Sequence, residues 1–306
     1  MPWYVRGRCS KTGGVTLNYM AYLLVLLAAI LWGTTGTAQS FFEGAAHPLS
    51  IGAFRLAIGG FSLLLFVIAA KRLSIRTIPW PAAILSAISM ALFQPLFFSS
   101  VQMTGIAIGT VVTIGSAPVL TGLIEWIAFK RKPDRVWGIA TLLALIGCVL
   151  LFANKGQQLV DPIGIAMALG AGLSFAVYAL VSKYVLKAME TVSAVAVIFS
   201  LSACCLLPFL VLFDLSYITV PLNFSLIIYL GIGATSLSYL LFSFGLKQIP
   251  SSSAVTLSLA EPLTAAVLGV VVVGEVLSGL SWLGVGLLLC GILILTIGDR
   301  RGVPAS

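Results

Sequence analysis

The side chain best placed to do chemistry is Glu261, a carboxylate near the middle of an apolar run and followed at once by Pro262. A charged group at that depth in a hydrophobic segment is costly and usually faces a cavity or a partner. Pro262 removes one helix hydrogen bond and is expected to free the carbonyl four residues earlier, at Ser258. Ser251, Ser252, Ser253, Thr256 and Ser258 add a hydroxyl face just before it. Two readings stay open for Glu261: a site for a proton or a substrate amine, or a protonated or hydrogen-bonded group that fixes packing at the proline kink. Arg55 has three: an ion pair with Glu43, a side chain snorkelling outward, or a contact for a substrate carboxylate. Gln94, beside Pro95, is expensive to leave unpaired in lipid and is expected to face the interior, toward cargo or a neighbouring helix. Trp32, Tyr178 and Tyr239 can present aromatic faces to a cation or an apolar group, with packing as the alternative. Pro118 and Pro262 are candidate kinks or hinges.

Other chemistries find little support. The one histidine, His47, precedes Pro48 between two apolar runs and reads as a loop residue. There is no acidic pair, no Ser/His/Asp set and no phosphate-cradling Gly-Lys motif, so no enzyme activity and no cofactor are expected. Cys9, Cys148, Cys204, Cys205 and Cys290 lack metal-ligand spacing, and no metal site is expected. Glu125 lies one turn from Lys130-Arg131-Lys132 and reads as a structural ion-pair partner.

The elements that must hold these residues are long and apolar. Sixty percent of the 306 residues are hydrophobic and 8% are charged, against about 25% charged in an ordinary soluble domain. About 20 apolar residues carry a helix across the hydrocarbon core. Such runs fall at 20–41, 49–70, 79–101, 105–129, 136–153, 162–182, 191–213, 223–246, 250–274 and 280–298. If the N-terminus is cytoplasmic, 15 of the 17 Lys and Arg residues fall on the cytoplasmic side, leaving Lys155 opposite and Arg55 within a span. That asymmetry obeys the positive-inside rule and predicts a multi-pass protein of the cell (inner or plasma) membrane with both termini cytoplasmic. The net charge of +8 is thereby spread over connectors, without the basic helix or interleaved aromatics of a nucleic-acid binder.

The chain also repeats itself. Pro118 and Pro262 are 262 − 118 = 144 residues apart, and the same shift carries Gly147 onto Gly291, Ala140 onto Gly284, Ser99 onto Ser243 and Phe98 onto Phe242. Leu31-Trp32-Gly33-Thr34 corresponds to Ser174-Phe175-Ala176-Val177. Five spans per repeat is odd, so the second half enters from the opposite side. The predicted fold is all-α and membrane-integral, ten transmembrane helices in an inverted 5+5 repeat, a design secondary transporters use to rock around a midplane site. At Pro118 the acid is replaced by Ala117, so the halves need not share binding work equally.

Ala29-Ile30-Leu31-Trp32-Gly33, Phe54-Arg55-Leu56, Ser116-Ala117-Pro118, Leu259-Ala260-Glu261-Pro262 and Gly274-Glu275 occur in order along the chain. In these elements it resembles the drug/metabolite transporter superfamily with two EamA-type domains, over nearly its whole length after Asn18. The resemblance implies a central cavity between the halves and export of amino acids or other small metabolites, including related amines or drugs. It divides the chain into an N-terminal segment 1–19, five-helix repeats at 20–154 and 161–298, and a tail at 299–306. One departure is Lys130-Arg131, which stands where the second half has Gly274-Glu275. The expected activity is alternating-access transport of a small molecule by a monomer or homodimer embedded in the bilayer. A passive channel or facilitator is the main alternative, and a membrane-embedded enzyme the weaker one.

Overall fold

The computed structural model describes residues 11–44, 46–152, 161–274 and 276–298. Arg6, Arg8, Cys9, Lys155, Glu275, Arg300 and Arg301, with most of the two terminal segments, lie outside the described residues. Ten helices are long and apolar enough to cross a membrane: Tyr19–Ser40, Pro48–Ala69, Trp80–Gly105, Ile108–Phe129, Arg135–Phe152, Pro162–Ala188, Thr191–Leu212, Pro221–Leu246, Ser251–Val273 and Gly279–Gly298. They are called spans one to ten below. Among the described residues there is no strand.

Local chemistry sets the helix ends. His47 caps span two, its Nδ1 accepting from the Leu49 N–H at 3.3 Å, with Pro48 in the first turn where a missing N–H costs nothing. Asp161 caps span six in the same manner, accepting from the Ile163 N–H at 2.8 Å. Asp134 accepts from the Trp137 N–H at 2.7 Å at the start of span five. Spans three and four meet at Gly105, whose φ of 83° is a backbone conformation that side chains with a Cβ avoid.

The packing has the inverted symmetry expected of the repeat. Span one packs on spans eight and nine, while its counterpart, span six, packs on spans three and four. Spans two and seven pair with each other, as do spans five and ten. In the last pair the symmetry reaches individual atoms. A Cβ on Gly147 would lie 2.6 Å from the Gly284 carbonyl oxygen, and one on Gly291 would lie 2.7 Å from that of Ala140. The 144-residue shift turns the first contact into the second. Small residues are required here because the two backbones touch.

Connectors sort to two ends. Arg72 binds Glu190 at 3.0 Å, Lys183 donates to the Ile249 carbonyl at 2.5 Å, and Glu125 binds the start of span nine. These contacts place the 2–3, 4–5, 6–7 and 8–9 connectors together, with Lys71, Arg72, Arg76, Lys130, Arg131, Lys132, Lys187 and Lys247 at or near them. At the other end Asn223 Nδ2 donates to the Glu43 carbonyl at 2.8 Å, the His47 ring stacks on Phe213, and Ser281 donates to the Leu151 carbonyl. The described connector residues of that end carry Glu43, Asp161 and Asp214 and no Lys or Arg. Asp214 is held below the usual carboxylate range by hydrogen bonds from the Ser216 N–H and hydroxyl.

Candidate functional site

A cavity of about 610 Å³ lies between the two halves, in the size range of small-molecule sites, roughly 300–1,000 Å³. It runs from mid-span residues such as Trp32, Tyr239 and Ser258 to Ser40, Pro48, Phe152 and Leu277 at the end without basic connectors. No lining residue comes from the basic end. There the fold is shut: Ser251 through Ala260 are all buried. Glu125 accepts from the Ser251 N–H at 2.9 Å and the Ser252 N–H at 3.3 Å, capping span nine from span four, and also takes the Ser252 hydroxyl. Trp137 Nε1 and the Thr141 hydroxyl both meet Thr256 Oγ1, at 3.1 and 3.0 Å. The cavity therefore opens toward one end only.

Glu261 stands on the cavity wall, and its carboxylate has no hydrogen-bond partner among the described residues. The backbone beneath it differs from the expectation. Span nine is helical over Ser251–Leu257 and again over Ala260–Leu268, with a break at Ser258 and Leu259. The Ser258 carbonyl is not left free: the Glu261 N–H donates to it at 2.9 Å, closing a tighter turn in place of the bond Pro262 cannot make. Pro262 thus acts with a local break in the helix, and Glu261 is the first acidic residue after that break. Span four, by contrast, keeps helical backbone through Pro118.

Arg55 also lines the cavity, from span two. It turns inward and donates from Nε to Thr235 Oγ1 at 3.3 Å. It does not pair with Glu43, which is exposed and tied through its backbone to Asn223. Thr235 sits in a π-helical turn, Ile232–Leu237, and its hydroxyl in turn donates to the Leu230 carbonyl at 2.8 Å. The wide turn places that hydroxyl under the guanidinium. Arg55 and Glu261 line the same cavity, yet no ion pair within 4.0 Å joins them. Arg72–Glu190 is the one ion pair among the described residues.

Gln94 reaches the same cavity from span three and sits where a Cβ on Gly52 would meet its Oε1 at 2.9 Å. A side chain at position 52 would push the Gln94 amide aside. Its amide makes no hydrogen bond with a described residue. Trp32 and Tyr239 line the floor, ring centroids 4.7 Å apart. Trp32 meets its repeat counterpart Phe175 edge to face, at 6.1 Å and 84°, so the two halves touch through equivalent aromatics. Tyr178 is fully buried behind this floor, against Phe175 and Phe199, and does not line the cavity. Three lining groups, Trp32 Nε1, Thr35 Oγ1 and Thr113 Oγ1, have no hydrogen-bond partner among the described residues, a rarity for buried polar atoms.

The sequence reading missed several of these groups. Phe93, Phe97 and Phe175 supply much of the aromatic wall, and only Phe175 carried a signal, its register with Trp32. Thr235 was legible only as a hydroxyl cluster with Ser236 and Ser238 in an apolar run. Glu125 was expected to pair with Lys130-Arg131-Lys132, and instead its side chain caps span nine. Lys132 lies over the Trp126 ring, 6.0 Å from its centroid.

Known proteins resemble this chain in sequence and in fold. Residues 19–153 and 162–297 each match the EamA-like transporter family. An uncharacterised transporter, YwfM, of Bacillus subtilis is 48% identical over 284 residues, covering 93% of this chain and 96% of that one. The threonine/homoserine exporter RhtA of Escherichia coli K12 is 28% identical over 286 residues, 91% of each. A solved crystal structure superposes with a TM-score of 0.79 across 92% of this chain and 99% of that one, at 23% identity, a likeness of fold. With both halves matched and ten spans built around a shared cavity, this multi-pass membrane protein belongs to the EamA-like transporter family.

Proposed function

We propose that this protein is a secondary transporter that exports small zwitterionic metabolites of the amino-acid class by alternating access, and that it is not an enzyme. The observation that carries the reading is the pair Arg55 and Glu261: opposite charges on different walls of one cavity, without an ion pair between them. A desolvated charge without a partner is expensive. A carboxylate on Arg55 and an ammonium on Glu261 would neutralise both through charge-assisted hydrogen bonds. The aromatic floor of Trp32, Tyr239 and Phe175 would receive the apolar part of the cargo, and Gln94 would read a polar group on it. The exporter named for threonine and homoserine among the relatives supports this class of cargo.

The placement of Lys and Arg supports a cell-membrane protein with the basic end and both termini in the cytoplasm. In that orientation the cavity faces outward and the Glu125–Ser251–Ser252 closure is the cytoplasmic gate. The break at Ser258 and Leu259 beside Pro262, with Pro118 opposite, would act as hinges when the halves rock and the gate opens. Each chain encloses a whole cavity, so a monomer suffices.

Purified protein in liposomes should give saturable flux and counterflow of threonine or homoserine. Absence of flux for amino acids, amines and common drugs alike would refute the reading. Flux that never saturates and shows no counterflow would make the protein a channel.

A further inference from the structure

Outside the cavity, one cluster of charged side chains includes two cations, Arg131 and Lys187, that no contact described so far uses. At the basic end, spans four, six and nine enclose a pocket of about 180 Å³ lined by Arg131, Lys183, Lys187, Glu125, Phe129 and Tyr184. Three cations and one carboxylate thus share one small pocket. Glu125 is already committed to the start of span nine, and Lys183 to the Ile249 carbonyl. Arg131 and Lys187 are exposed and have no hydrogen bond or ion pair from their side chains to any described residue.

Their convergence is imposed by the backbone. Lys130 ends span four in the left-handed conformation, φ 56°, and the Arg131 N–H turns back onto the Glu125 carbonyl at 3.1 Å. That turn brings Arg131 over the mouth of the pocket. Lys187 is in the last turn of span six, one helical turn beyond Lys183, so it shares that face. The outer wall is aromatic: Phe129 is 39% and Tyr184 50% exposed, ring centroids 6.3 Å apart, at the ends of membrane-spanning helices. Cations at a span end with exposed aromatics beside them form the chemistry of a phosphate at the membrane interface, with hydrocarbon directly below.

We propose that this pocket binds the phosphate headgroup of an anionic phospholipid, with Arg131 and Lys187 as its ligands and Phe129 and Tyr184 against its glycerol and upper acyl chain. Lys183 serves the electrostatic field of the site while holding the 8–9 connector. Basic pockets between spans on the cytoplasmic side are a general route to such recognition. The site is separate from the transport cavity and does not depend on what the cargo is.

The test is native mass spectrometry of the full chain in detergent with added phosphatidylglycerol or phosphatidylcholine, alongside inorganic phosphate. Wild type should retain phosphatidylglycerol in preference to phosphatidylcholine. Arg131→Gln with Lys187→Gln should lower that retention roughly tenfold, while Arg131→Lys with Lys187→Arg keeps most of it. Both positions are exposed, and unchanged thermal unfolding will show that the variants fold. A control pair at the same end, Arg76→Gln with Lys247→Gln, should retain the lipid. Equal loss in site and control variants would overturn the proposal in favour of diffuse attraction, as would no loss in either. Inorganic phosphate held at micromolar concentration and not displaced by the lipid would also overturn it.

Discussion

Spans four and nine are copies of one ancestral element, yet they have become different parts. Both carry a proline at equivalent positions, Pro118 and Pro262. Span four has Ala117 before it and stays helical; span nine has Glu261 before it and is broken at Ser258 and Leu259. Span nine is also held at one end by Glu125 of span four, whereas the position related to Glu125 by the repeat is Gly269, in a π-helical turn. The lesson is that an inverted repeat fixes the frame and leaves each half free to specialise. Proline alone does not break a helix in this fold; a break appears where the second half also carries the charge.

That comparison can be attacked directly. Glu261→Ala should cut the rate of amino-acid counterflow by roughly a hundredfold, because it strips one charge from a desolvated pair of contacts. Ala117→Ser, at the equivalent place, should leave counterflow unchanged, and comparable losses would show that the halves share the work. Glu125→Ala should lower stability by about 2 kcal/mol in detergent unfolding, since two N–H groups and a hydroxyl at the start of span nine lose their acceptor. It should also raise labelling of cysteines introduced at the basic end, the sign of an opened gate. Gly147→Ala and Gly291→Ala should each cost about 1–2 kcal/mol by overpacking, and nearly equally, because each glycine lies on a backbone carbonyl of the opposite span. Unequal costs would place the axis elsewhere. Tyr178→Phe should leave transport at the wild-type rate, as that ring lies behind the cavity floor.

Much of the fold could be read from the chain because its causes are local or periodic. Run length gave the spans, and the 144-residue register paired Gly147 with Gly291 and Ala140 with Gly284, residues that the fold then brings into one contact. The one-sided Lys and Arg pattern agreed with the connectors that Arg72–Glu190 and Lys183–Ile249 bring together. Of the six candidate side chains, Glu261, Arg55, Gln94, Trp32 and Tyr239 line one cavity, and Tyr178 lies behind it. What could not be read were partners distant in sequence. Nothing near Arg55 points to Thr235, 180 residues away, or near Glu125 to Ser251, 126 residues away. Charges adjacent in sequence suggested the ion pairs Arg55–Glu43 and Glu125–Lys130-Arg131-Lys132, whereas burial rewards hydrogen-bond geometry over proximity. The missing bond at Pro262 was foreseen, but not that a tighter turn would repair it.

The central claim is that Arg55 reads a carboxylate and Glu261 an amine on the same molecule. Counterflow in proteoliposomes, with homoserine, its amine analogue lacking the carboxylate, and its acid analogue lacking the ammonium, tests it most directly. Arg55→Gln should lose homoserine while keeping the amine, and Glu261→Gln should lose homoserine while keeping the acid. Equal transport of all three by both variants, or equal loss of all three, would contradict it.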